Sequence, residues 1–131
     1  MLVNAFLRLP QADFEAQLEA AGHKLVVVDF YATWCGPCRA LAPRFVKLAK
    51  ELKDEVVFLK VDVDETDEVA AEYQVRGLPT FVYIKNKEEL ERLRIDVKPS
   101  EIKVSAREFS VFLHLMSTIV GDPKSKSLCP N

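Results

Sequence analysis

Cys35 and Cys38, with Gly36 and Pro37 between them, are the residues of this chain whose types and spacing best suit chemistry. Two intervening residues at the first turn of a helix put both sulfurs on one face, with Cα atoms roughly 5–6 Å apart, inside the window a disulfide requires. Such a pair can close and reopen with little backbone movement, which is the chemistry of dithiol–disulfide exchange. The competing use of Cys-x-x-Cys is half of a zinc site. Zinc needs two further ligands, and the chain offers only His23, His114 and Cys129, none at ligand-pair spacing, so no metal is expected.

The elements that must position the two thiols make them unequal. Leu25 to Tyr31 is a nearly continuous apolar and β-branched run, as in a strand covered on both faces. From about Cys35 to Leu52, Leu41, Phe45, Leu48, Ala49 and Leu52 fall at helical spacing, and Pro43 interrupts that pattern without ending it. The pair therefore sits at a strand-to-helix junction. Unpaired N–H groups and the macrodipole at a helix N-terminus favour an anion, which marks Cys35 as the nucleophile. Cys38, one turn in and expected to be the less exposed, is the resolving thiol that attacks a mixed disulfide formed at Cys35. Pro37 presets φ where the helix needs no N–H, and Gly36 leaves the approach to the sulfur clear. Arg39, Arg44, Lys47 and Lys50 make a solvated face. Asp29 is the anomaly in the strand. It is either an acid at a frayed end facing water, or a carboxyl buried behind Cys38 with its pKa raised by desolvation, able to take the Cys38 proton.

Composition bounds the answer. The 131 residues, 49% hydrophobic and 29% charged, make one ordinary globular domain. A net charge of −2 leaves no footprint for nucleic acid or an anionic membrane, so proteins and small thiols are the expected partners. Met1 to Leu9 lacks the basic start and cleavage site of a secretion signal, and no run approaches the roughly 18 apolar residues of a membrane span. Three cysteines, two of them in one motif, suit a reducing compartment; a cytoplasmic location is the expectation.

The rest of the chain supplies a scaffold. Val3 to Leu9 patterns as a short edge strand, and Pro10 opens a helix with Phe14, Leu18 and Ala21 on one stripe and Gly22 as its stop. Val56 to Val63 is a second buried strand, and Thr66 to Tyr73 a short helix. Strands alternating with helices imply βαβ units and parallel pairing. Arg76-Gly77-Leu78-Pro79-Thr80 then leads into a strand at Phe81 to Ile84. Lys60 interrupts its strand much as Asp29 does, and the simplest account is that it snorkels from a strand end.

With Trp34 before the first cysteine and Gly-Pro inside the pair, Val26 to Arg39 (Val-Val-Val-Asp-Phe-Tyr-Ala-Thr-Trp-Cys-Gly-Pro-Cys-Arg) closely resembles the thioredoxin family. The resemblance covers about residues 1–86. It implies an α/β thioredoxin fold, a mixed sheet of four or five strands between helices. Asp29 matches the family's buried aspartate, and Lys60 would be its charge partner. Leu78–Pro79 would be a cis bond facing the active site, with the Leu78 backbone pairing with an extended substrate beside Cys35. Trp34, Gly77, Leu78 and Pro79 would line that groove; the alternative for Trp34 is a place in the core. The implied activity is protein-disulfide reduction by a monomer through a Cys35–Cys38 redox disulfide, with no cofactor bound. Electrons would come from NADPH through a flavin-containing thioredoxin reductase, and peroxiredoxins, methionine sulfoxide reductases or ribonucleotide reductase would be substrates.

Beyond Asn86 the pattern changes. Lys87 stands where the family has a hairpin glycine, and no glycine occurs near Ile95, where a bulky side chain would narrow the groove. A positive-φ turn would then fall to Asn86. Glu89 to Val97 suits a last edge strand, and Ser105-Ala106-Arg107-Glu108 is a capping box ahead of an amphipathic run, Phe109 to Val120, expected to cover the sheet. We therefore expect one domain over 1–120, divergent over 90–120, and a disordered tail over 121–131. Cys129 in that tail is expected to be an exposed thiol without a role; it does not fit a prenylation box. Against reductase activity stand three readings: a disulfide isomerase or oxidase, a redox-dependent protein-binding module, and a variant impaired by its C-terminus.

Overall fold

The computed structural model describes residues 11–94 and 129–130. In order, the elements are α1 (Gln11–Ala21), β1 (Leu25–Tyr31), α2 (Gly36–Glu51), β2 (Val56–Asp62), α3 (Asp67–Glu72), β3 (Gly77–Leu78), β4 (Thr80–Lys85), β5 (Glu88–Arg94) and β6 (Cys129–Pro130). Four strands form a mixed sheet in the order β2-β1-β4-β5. β1 is central, parallel to β2 and antiparallel to β4. The unbroken apolar run of β1 is explained by that position: neighbours on both edges and cover on both faces leave Leu25 to Phe30 buried.

The two faces have separate aromatic anchors. On one, Phe45 of α2 packs against Phe58 of β2 and Phe81 of β4, with centroids 5.4 and 5.7 Å apart. On the other, Phe14 of α1 and Phe30 of β1 each lie 5.8 Å from Tyr73 at the end of α3. Strand alternation places Val27 and Asp29 on the α2 face, in register with Phe58 and Lys60. Asp29 thus projects beneath the helix that carries the two cysteines.

Helix ends follow the expected chemistry. α1 stops at Gly22, whose φ of +59° no side chain would readily adopt. α2 begins after Cys35 as its N-cap, has proline in its first turn, and runs on through Pro43 to Leu52. The β4–β5 hairpin turns at Asn86 and Lys87 with φ of 53° and 67°. Sequence reasoning assigned positive φ to Asn86 alone; the two-residue turn needs it at both positions, so Lys87 does what glycine does more cheaply. The turn is tied down by His23 Nδ1, 2.8 Å from Asn86 Oδ1, and by an ion pair between Lys87 and Glu19. Arg92 of β5 donates to the Tyr73 carbonyl at 2.8 Å and anchors the edge strand to the end of α3.

The expected first strand at Val3 to Leu9, the position near Ile95 and the covering helix at Ser105 to Val120 lie outside the described residues. Cys129 and Pro130 differ from expectation: placed in a disordered tail by composition, they pair as β6 with β3.

Candidate functional site

Cys35 is held at the junction by its own backbone. Its N–H donates to Ala32 O at 3.2 Å, and its carbonyl accepts the Arg39 N–H at 3.1 Å, the first turn of α2. Its thiol donates to the carbonyl of Leu78 at 3.7 Å. Leu78 belongs to β3 and is followed by a cis bond to Pro79, as the resemblance implied. The Thr80 hydroxyl donates back to the Gly77 carbonyl, closing the short segment on itself. Gly36 has open space where a side chain would stand.

Exposure reverses one expectation. Cys35, expected to be the more accessible thiol, is 0% exposed, whereas Cys38 is 6% exposed. The reason lies outside the local motif: Cys129, carried by β6, packs beside Cys35. All three cysteines are free thiols.

Burial pushes the Cys38 thiol far up; a hydrogen bond with Cys35 and the nearby Asp29 charge add to that, against a backbone hydrogen bond at Ala32. Cys38 therefore needs a proton acceptor before it can attack. Asp29, 5% exposed, is raised to about 7 by desolvation, with the Lys60 charge pulling the other way. Its Oδ1 has no hydrogen-bond partner. A carboxyl that titrates near neutrality can hold a proton or receive one at working pH, and its free oxygen leaves a position for that proton.

Of the two expectations for Lys60, the structure favours the snorkelling side chain over a direct ion pair with Asp29. Lys60 is the register partner of Asp29, yet its ammonium lies 4.3 Å from the centroid of the Tyr31 ring, and the two charges form no ion pair. A cation over an aromatic face is stabilised there while its end stays near solvent. Its effect on Asp29 is a longer-range attraction.

Trp34 is 50% exposed, which rules out a place in the core. Its indole Nε1 donates to Asp64 Oδ2 at 2.8 Å, and the Asp64 N–H donates to the buried Asp62 Oδ1 at 2.9 Å. Sequence reasoning missed this relay from β2 to the indole. The only local signal was acids recurring at alternate positions, Asp62 and Asp64, after the strand. Trp34, Leu78 and Pro79 are thus brought together around Cys35, with Asp29 behind Cys38.

Among the described residues, no group of three His, Cys, Asp or Glu side chains is placed to hold a metal ion, and no helix is long and apolar enough to cross a membrane.

Two buried thiols at a helix start, one of them backed by a buried carboxyl, fit a thiol-based redox protein. Residues 5–108 match the Thioredoxin family model, and the chain belongs to that family. The match continues past Asn86, where local similarity becomes hard to see. Thioredoxin-T of Drosophila melanogaster is 53% identical over 79 residues, which are 60% of this chain and 50% of that protein. The X-ray structure of Fasciola hepatica thioredoxin superposes with a TM-score of 0.63 at 48% identity, covering 66% of this chain and 85% of the other. A thioredoxin f2 complex with ferredoxin:thioredoxin reductase gives a TM-score of 0.62 at 33% identity, over 66% and 78% of the two chains. The fold and the thioredoxin-type redox character rest on these similarities together with the site.

Proposed function

We propose that this chain reduces disulfides in other proteins. The observation that carries the reading is a pair of buried thiols at the start of α2 with a buried carboxyl, Asp29, on the strand face beneath them, its Oδ1 unpartnered and its pKa raised by burial. Cys35 thiolate attacks one sulfur of an accessible disulfide, forming a mixed disulfide and releasing the other sulfur as a thiolate. The substrate segment lies against Leu78 and Pro79 beside Trp34. Asp29 takes the Cys38 proton, Cys38 attacks Cys35 Sγ, and the second substrate thiolate departs, leaving a Cys35–Cys38 disulfide. An incoming disulfide reaches Cys35 when β6 has left β3.

Electrons returning the pair to the dithiol come from NADPH through a flavin-containing thioredoxin reductase; no cofactor belongs to the chain itself. A neighbour solved with a ferredoxin:thioredoxin reductase supports a reductase as partner. Peroxiredoxins, methionine sulfoxide reductases and ribonucleotide reductase are the proposed substrates, a monomer the working form and the cytoplasm the setting.

The test is NADPH-coupled reduction of insulin disulfides with a thioredoxin reductase, alongside Cys35→Ser. Activity lost in that variant supports the reading. No activity in a wild-type chain that still unfolds cooperatively would overturn it.

A further inference from the structure

β3 is where an extended substrate is expected to pair, and in this structure that edge is occupied. β6 runs antiparallel to it, with Leu78 opposite Cys129 and Gly77 opposite Pro130. The Leu78 carbonyl that accepts the Cys35 thiol therefore belongs to the residue directly across from Cys129. Cys129 is half-buried and packs against the core cluster that contains Cys35 and Cys38. Its thiol is pushed up by burial first and then by a hydrogen bond with Cys35, while the Gly36 N–H and the Arg39 charge pull it down. Cys129 is thus the third member of a thiol cluster, presented on an extended segment in the position a substrate cysteine would take.

We propose that Cys129 is a third redox residue of the site: β6 acts as an internal substrate segment, and Cys129 forms a disulfide with Cys35 that caps the nucleophile. The proposal rests on the reductase reading for the oxidised form that feeds it. In the Cys35–Cys38 disulfide, Cys129 thiolate attacks Cys35 Sγ. The Cys35–Cys129 bond forms as the Cys35–Cys38 bond breaks, Cys38 leaves as a thiolate, and the proton given up by Cys129 is matched by the one Cys38 takes up. No net electrons are exchanged, so no further oxidant is required. The capped form is a mixed disulfide at Cys35: Cys38 can attack Cys35 Sγ in the reverse step, and an external dithiol returns either oxidised form to the free thiols.

Full-length Cys38→Ser treated with glutathione disulfide isolates the step. Cys35 thiolate takes up one glutathione and releases the other; attack by Cys129 then releases the second and leaves Cys35 joined to Cys129. Non-reducing peptide mapping should find that linked peptide, with bound glutathione lost. Cys38→Ser combined with Cys129→Ser should retain one glutathione on Cys35. Cys38→Ala serves in place of the serine variant if a hydroxyl at this buried position unfolds the chain. A Cys38→Ser chain that keeps its glutathione, or that takes up none and yields no linked peptide, overturns the proposal. Wild-type insulin reduction without the linked peptide would do so while leaving the reductase reading intact. The linked peptide in a chain that does not reduce insulin would keep the proposal and remove the reading.

Discussion

β1 and β6 both bear on Cys35, but they are held in place very differently. β1 is paired along its whole length, in seven-residue register with β2 and over five residues with β4, and is buried on both faces by separate aromatic clusters. β6 is paired over two residues. At roughly 1 kcal/mol net per backbone hydrogen bond, so short a pairing contributes only a few kcal/mol, within reach of a competing peptide. One region of the site is held rigidly and the other lightly. The buried sheet fixes where the sulfurs and the carboxyl stand, while a segment paired over two residues lies against the cluster that holds Cys35.

The largest effect should come from breaking the rigid side. Phe45→Ala removes the ring that bridges α2 to β2 and β4, and should cost about 3–5 kcal/mol of stability, read by urea unfolding. The dithiol should lose its alignment with it, since α2 carries Cys38 and begins at Cys35.

Asp29→Asn should act in two opposed directions. Folding raises the Asp29 pKa from 3.8 to about 7. Between those values the native state binds more protons than the unfolded chain, so the stability associated with the protonated carboxyl is complete below about pH 4 and lost as pH rises through about 7. The full penalty is on the order of 4 kcal/mol. Unfolding of wild type and Asp29→Asn should therefore nearly coincide at pH 4, with the variant the more stable at pH 8. Its disulfide turnover at neutral pH should nevertheless fall, roughly 10- to 100-fold, because Cys38 has lost its proton acceptor.

Smaller effects are expected at the periphery of the site and at the hairpin. Asp64→Ala removes the acceptor of the Trp34 indole and should cost about 1 kcal/mol or less. A shift in Trp34 fluorescence, from the chain's one tryptophan, would report the freed ring. Lys87→Gly relieves a φ of 67° but gives up an exposed ion pair with Glu19, so a gain of about 0.5 kcal/mol is expected by thermal unfolding.

How much of this was legible in the sequence depends on the range of the physics involved. The β1–α2 junction, the buried strands, the stop at Gly22 and the candidate thiols are encoded in short windows of periodicity and punctuation. Asp29 was visible as a charge in an apolar run, although the same window allowed a frayed end; burial under α2 separates the two. Three features depend on tertiary approach, and no local pattern named their partners. Trp34 meets Asp64 from 30 residues away, Lys60 turns to Tyr31 rather than to its register partner, and Cys129 returns to β3 from the far end of the chain. The reversed exposure of Cys35 and Cys38 follows from the last of these, since a covering segment cannot be read from the motif it covers.

The most direct test of the account is the pH dependence of mixed-disulfide resolution by Cys38, measured in single turnover in a Cys129→Ser background so that Cys38 is the one resolving thiol. Release of the substrate thiol should rise with pH through a midpoint near 7, and Asp29→Asn should be slower at neutral pH and lose that midpoint. Equal rates and the same profile with and without the Asp29 carboxyl would contradict the claim that it takes the Cys38 proton.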